Sequence, residues 1–189
     1  MQSALSEHDV MPLTKEKLDI TDFEQVQTVV EELRPDCILN AAAYTNVDGA
    51  ETNVRLAHAV NALGPRNLAV AAAAFDIPLM HVSTDYVFDG RSSVPYHEFD
   101  HPNPLSVYGA SKLAGEEAIR CLHRRHFIAR TAWLYHTVGR NFPKTITALA
   151  NQPVVRVVND QVGSPTYAPH LALALARLLD TTAYGTYHL

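Results

Sequence analysis

Tyr108 and Lys112 are four residues apart in a stretch with helical spacing, so they share one helix face. A free tyrosine has a pKa of about 10 and is a poor acid–base group near neutrality. An ammonium beside it favours the phenolate and lowers that value. Such a pair suits protonation of a carbonyl oxygen while a hydride reaches the carbon. The competing reading is a packed tyrosine beside an exposed lysine, and Tyr-x-x-x-Lys alone does not exclude it. Thr84 supplies a third group. An apolar run upstream ends at Ser83-Thr84-Asp85, from where the Thr84 hydroxyl can reach the same carbonyl.

These groups need a frame. Thr21-Asp22-Phe23-Glu24 has the form of a capping box, and Val26, Val29, Val30 and Leu33 follow at helical spacing until Pro35 stops the helix. Cys37-Ile38-Leu39 reads as a buried parallel strand that opens into a loop after Asn40. Residues 54–75 form an alanine-rich helical stretch interrupted near Gly64-Pro65. Leu79-Met80-His81-Val82 and Phe127-Ile128-Ala129 read as strands, with a loop over residues 92–104 and a helix over 106–122 between them. Further helices are expected over 141–151 and 171–179, and strands over 154–158 and from residue 185. This alternation predicts an α/β fold with a parallel sheet flanked by helices. Ligands of such sheets bind beyond the carboxyl ends of the strands. That rule singles out Asp19 and residues 42–45, 83–86 and 131–135.

Composition narrows the function. The 189 residues suffice for one domain with a sizeable core, with 47% hydrophobic and 19% charged residues. A formal net charge of -5 excludes a general nucleic-acid binder, which needs a basic footprint. No apolar run approaches the ~18 residues of a membrane span. Residues 1–10 are polar and lack the basic-then-apolar order of a signal peptide. Cys37 and Cys121, the two cysteines, lie in apolar segments and read as buried thiols, consistent with a reducing cytoplasm. The histidines do not make a metal site. Pro95, Pro102 and Pro104 bracket His97 and His101, and Arg124 and Arg125 lie between His123 and His126.

A strand ending in Ser/Thr followed by a helix with Tyr-x-x-x-Lys is the order found in short-chain dehydrogenases. Longer blocks sharpen the likeness. Ser83-Thr84-Asp85-Tyr86-Val87-Phe88-Asp89-Gly90, Pro102-Asn103-Pro104-Leu105 and Val107-Tyr108-Gly109-Ala110-Ser111-Lys112-Leu113-Ala114-Gly115-Glu116 resemble the dTDP-4-dehydrorhamnose reductases. So do Leu18-Asp19-Ile20-Thr21, Asn40-Ala41-Ala42-Ala43-Tyr44-Thr45 and Asp160-Gln161-Val162-Gly163-Ser164-Pro165-Thr166-Tyr167. The resemblance implies a Rossmann-like doubly wound sheet and reduction of the C4 ketone of a dTDP-6-deoxy-hexulose by NADPH, or by NADH in some members. It implies Tyr108 as proton donor, Lys112 at the nicotinamide ribose, and Thr84 bonded to the reacting oxygen. Asp19 and Ile20 would flank the adenine, and Ala42, Ala43, Tyr44 and Thr45 would line the dinucleotide. Asp85 and Trp133 would contact the nucleotide-sugar substrate, although a core position would serve Trp133 equally. Relatives commonly form homodimers and some carry a magnesium ion; the residues here establish neither.

The chain also departs from that pattern. Its eight glycines include no pair spaced as G-x-G, the spacing of the turn that admits a pyrophosphate. Residues 1–7 resemble the end of the helix that follows such a turn. The sequence therefore reads as an incomplete fold, lacking the first strand and phosphate loop and cut short within the substrate-binding region. Residues 1–135 would be a partial NAD(P)-binding domain. Residues 136–189 would begin the substrate-binding region and return elements to the sheet. On this reading the chain binds NADPH weakly or not at all, and micromolar affinity in a calorimetric titration would refute it. Gly49 and His136 differ from the residues usual at their places. Two other functions remain open: a regulatory protein on the same fold, like the β subunit of methionine adenosyltransferase, and a reductase or epimerase of another nucleotide sugar. The Thr84-Asp85 pair favours the reductase.

Overall fold

The computed structural model describes residues 2–5, 7–139 and 141–189. Its first half runs α1 (Phe23–Leu33), β1 (Ile38–Asn40), α2 (Val47–Thr52), α3 (Val54–His58), a π-helical turn (Ala59–Leu63), α4 (Gly64–Ala74) and β2 (Leu79–Thr84). Then follow a 3-10 turn (Asp85–Val87), α5 (Val107–Leu122), β3 (His126–Thr131), β4 (Leu134–Tyr135), α6 (Phe142–Ala148), β5 (Thr166–Tyr167), α7 (Ala168–Leu179) and β6 (Gly185–His188).

β1, β2, β3 and β6 form one parallel sheet in that order. Successive strand side chains face opposite sides, so each strand serves two cores. On one side Leu79 and Ile128 pack with Val26 and Val30 of α1, Leu68 of α4 and Ile119 of α5. On the other, Met80, Phe127 and Ala129 pack with Leu171 and Leu175 of α7. Burial on both faces explains why these strands are continuous apolar runs rather than alternating ones. The expected doubly wound parallel sheet is what the chain forms.

Several local expectations are corrected. The cap of α1 is Asp22, not Thr21: the Asp22 carboxylate accepts from Gln25 N at 3.0 Å, while the Thr21 hydroxyl donates to Asp19. Neither cysteine is fully buried: Cys37 is partly buried, and Cys121 is exposed because it falls on the outer face of the amphipathic α5. Residues 154–158 form no strand; their valines lack a pairing partner, and Val154 is 69% exposed. A short parallel ladder, Leu134–Tyr135 with Thr166–Tyr167, was not legible as strand. Within the expected helix end at residues 1–7, Gln2–Leu5 forms a 3-10 turn, and Met1 and Ser6 lie outside the described residues.

The break in the alanine-rich helix is the π-helical turn before Gly64-Pro65. Pro65 has no N–H, so it cannot bond the carbonyl of Asn61 four residues back. That carbonyl meets α5, where a Cβ at Gly115 would lie 2.2 Å from Asn61 O. A second close approach sets the start of α5: a Cβ at Gly109 would lie 2.2 Å from Tyr86 O. Both obstacles are backbone atoms. Gly109→Ala is therefore expected to push α5 off the 3-10 turn and cost about 1–3 kcal/mol in urea denaturation.

Candidate active site

Tyr108 lies in the first turn of α5, where Ser106 caps the helix by accepting from Gly109 N at 3.1 Å. The ring meets Tyr86 edge-on, with centroids 5.5 Å apart. Thr84 ends β2, and its hydroxyl faces the Tyr108 phenol. The same hydroxyl accepts from Tyr86 N at 3.2 Å and reaches Asp85 Oδ1 at 3.1 Å. Thr84, Asp85, Tyr86 and Tyr108 thus converge at the carboxyl end of the sheet.

Lys112 is 2% exposed, which rules out the bland reading of a solvated lysine. Its ammonium end does not sit against Tyr108, however. Nζ donates to Val82 O at 2.7 Å and lies 3.1 Å from His81 Nε2. The expected lowering of the phenol's pKa is correspondingly absent. Burial raises the Tyr108 pKa above its ordinary value, the Thr84 hydroxyl works against that, and Asp85 and Tyr86 add to it. Helical spacing brings the two side chains onto one face, but Lys112 is long enough to turn down into the sheet. Burial lowers its own pKa to about 8, with Glu116 opposing.

The remaining sequence candidates divide. Asp85 is largely buried beside Thr84, and that burial raises its pKa. Trp133 is not a core residue. It is 43% exposed, has a φ of 45°, and lays its ring against Gly163. Residues 42–45 follow β1, where Ala42 N donates to Asn40 Oδ1 at 3.0 Å. Tyr44 is clamped through its backbone: its N–H donates to Asn61 Oδ1 at 2.8 Å and its carbonyl accepts from Asn61 Nδ2 at 3.0 Å. Asp19 and Ile20 are tied to α4 instead. Asn67 Nδ2 donates to Ile20 O at 3.0 Å, the Ile20 side chain is core against Gly64, and the Asp19 carboxylate accepts from Thr21 N and Oγ1.

Several residues that organise the site were not anticipated. Asn61 is fully buried, and besides Tyr44 it donates to Ser111 Oγ at 3.0 Å, which in turn donates to Tyr108 O at 2.7 Å. An asparagine inside an alanine-rich helix was the available signal. Glu116 is also fully buried. It accepts from Ser83 Oγ at 2.6 Å, Arg130 Nη2 at 2.7 Å and Arg120 Nη2 at 2.6 Å. This cluster fastens α5 to β2 and β3. Thr131 is the register partner of Thr84, and among the described residues its Oγ1 is buried without a hydrogen-bond partner.

The arrangement has known relatives. The RmlD substrate binding domain family matches residues 1–189. A dTDP-4-dehydrorhamnose reductase of Aggregatibacter actinomycetemcomitans is 42% identical over 188 residues, covering 96% of this chain and 64% of the relative. One from Mycolicibacterium smegmatis is 44% identical over 182 residues, covering 95% of this chain and 55% of the relative. The chain thus spans less than two thirds of the length of these two relatives. Among solved structures, the Bacillus anthracis dTDP-4-dehydrorhamnose reductase in complex with NADP has a TM-score of 0.93 and 48% identity, over 97% of this chain and 66% of that one. The Clostridium acetobutylicum dTDP-4-dehydrorhamnose reductase has a TM-score of 0.95 and 41% identity, over 100% of this chain and 68% of that one. With the match running the full length of the sequence and the sheet superposing on both structures, the chain belongs to the RmlD substrate binding domain family.

Proposed function

We propose that this protein reduces the C4 ketone of dTDP-4-dehydro-L-rhamnose with NADPH, giving dTDP-L-rhamnose. The observation that carries the reading is the Tyr108 phenol facing the Thr84 hydroxyl at the carboxyl end of β2, with Lys112 buried one turn behind. The similar proteins include dTDP-4-dehydrorhamnose reductases, one of them solved with NADP.

The residues present suit part of a dinucleotide site. The unpartnered Thr131 hydroxyl, beside Thr84 at the carboxyl edge, is a buried polar atom that a ligand can satisfy. Ala42, Ala43, Tyr44 and Thr45 would line the cofactor, Lys112 and Tyr108 would meet its ribose, and Asp19 and Ile20 would flank its adenine. When bound, the nicotinamide supplies the hydride. The chain's own part is the proton. The phenol is protonated at neutral pH, as a donor to a developing alkoxide must be, although burial makes it hold that proton more tightly than an ordinary tyrosine does. Thr84 bonds the same oxygen and orients it. Asp85 and Trp133 would contact the sugar nucleotide, and the buried setting of Lys112 limits water around the reacting atoms.

Turnover tests the reading. Protein that includes the first strand and phosphate loop implied by the resemblance should oxidise NADPH only when dTDP-4-dehydro-L-rhamnose is present, with dTDP-L-rhamnose as the product, and the 189 residues alone should do so far more slowly. Protein that binds both ligands without turnover, and that recovers a stable enzyme partner in a pull-down, would favour a regulatory role.

A further inference from the structure

A row of buried polar groups lies behind the Tyr108 site, one each from β1, β2 and α5. Asn40 Oδ1 accepts from Ala42 N at 3.0 Å. A backbone N–H can bond only the oxygen of an amide, so the orientation of the Asn40 side chain is set. Its Nδ2 then lies 3.0 Å from His81 Nδ1 and must be the donor. His81 Nδ1 therefore carries no proton. Burial is the main cause that holds the His81 pKa well below the ordinary imidazole value, and any charge on Lys112 lowers it further. The ring is neutral and its one proton sits on Nε2, 3.1 Å from Lys112 Nζ. An ammonium has three N–H groups and no lone pair, so it cannot accept from Nε2–H. A neutral amine can, while still donating to Val82 O at 2.7 Å.

The surrounding charges are compatible with this arrangement. Glu116, one turn along α5, favours the ammonium, but its carboxylate already accepts from Arg130 of β3, Arg120 and Ser83. Asp85 and Tyr86 beyond β2 bear on Tyr108. β1 contributes the neutral Asn40.

We propose that His81 is a positioning residue for Lys112: held by Asn40 in the tautomer protonated on Nε2, it disfavours the ammonium form of the lysine in the free protein, the contact with Nε2–H and Val82 O being that of the neutral amine. A ligand oxygen that draws Nζ away from His81 then favours proton uptake by the lysine from solvent. That consequence for catalysis rests on the reductase reading; the hydrogen-bond logic stands apart from it.

The test uses the free protein and needs no turnover. Long-range 1H–15N spectra of 15N-histidine-labelled protein should show His81 with its proton on Nε2 and no titration across pH 5.5–8.5. The sequence has four lysines, Lys15, Lys17, Lys112 and Lys144, and all but Lys112 are exposed, so 13Cε-lysine spectra are simple to assign with Lys112→Arg. The Lys112 signal should titrate near pH 8, against about 10.4 for a free lysine. Asn40→Asp offers an acceptor where Asn40 donates, so it should move the ring proton to Nδ1 and raise the Lys112 midpoint by roughly a pH unit or more. A proton on Nδ1 in the unaltered protein, Lys112 titrating as a free lysine does, or an unmoved Lys112 after tautomer reversal would each overturn the proposal. If Asn40→Asp does not fold, the spectra of the unaltered protein still decide. Absence of NADPH-dependent turnover would count against the reductase reading and leave both spectra as they are.

Discussion

Tyr108→Phe is expected to lower kcat for the reduction by about 10²–10⁴-fold while leaving the protein folded. The substitution removes one hydroxyl. The ring keeps its edge-on packing against Tyr86, and Gly109 keeps its close approach to Tyr86 O. What is lost is the proposed proton donor. On the same proposal Thr84 would still bond the ketone oxygen, but a threonine hydroxyl is far too weak an acid to replace a phenol. Substrate binding depends on other groups, so KM should change much less than kcat. Steady-state kinetics beside a thermal melt checks both halves. A variant with undiminished kcat would rule out Tyr108 as the proton donor.

The largest expected effect on stability is at Glu116. Glu116→Ala leaves Arg130, which is 3% exposed, with an uncompensated buried charge, and it takes the partner from Ser83 and Arg120. Removing one member of a buried pair costs about 3–5 kcal/mol. That is a large share of the roughly 5–15 kcal/mol by which domains are stable. Glu116→Gln keeps the shape and the bond to Ser83 but loses the charge, so it should fall between the two. The same group predicts acid sensitivity. Burial raises its pKa, but the hydrogen bond and charge of Arg130, with Ser83 and Arg120, hold the net value below the ordinary 4.5. A depressed folded pKa contributes stability that is complete above the unfolded value and is lost as pH falls through the folded one. Urea midpoints should therefore decline below about pH 4.5, and Glu116→Gln should remove part of that decline. Identical pH profiles for the two proteins would show that Glu116 carries none of it.

Much of this molecule is legible in the linear pattern. The apolar runs at Leu79 and Phe127 are strands because both faces are covered, and such strands need no alternation to be recognised. The spacing of Val26 and Val30 marks the buried stripe of α1. The run ending at Thr84 and the helix bearing Tyr108 mark the candidate site, since local spacing dictates which residues a helix presents on one side. The short ladder of β4 and β5 escaped because two-residue strands carry no periodicity of their own. Residues 154–158 misled because their valines suit a strand, but a strand needs a neighbour to pair with.

Tertiary structure decided the electrostatics. Spacing put Tyr108 and Lys112 on one helix face, and it says nothing about where four flexible methylenes carry an ammonium. Packing sent Lys112 Nζ to His81 and Val82 O, residues about thirty positions earlier in the chain. It also buried Glu116 with Arg130, and it placed Asn61 between Tyr44 and Ser111. Each of these contacts joins segments distant in sequence. The pKa of a group follows from its burial and its charged neighbours, and both exist only once the strands and helices have met. The candidate proton donor was present in the residue order, whereas its protonation, and that of the lysine behind it, came from the fold.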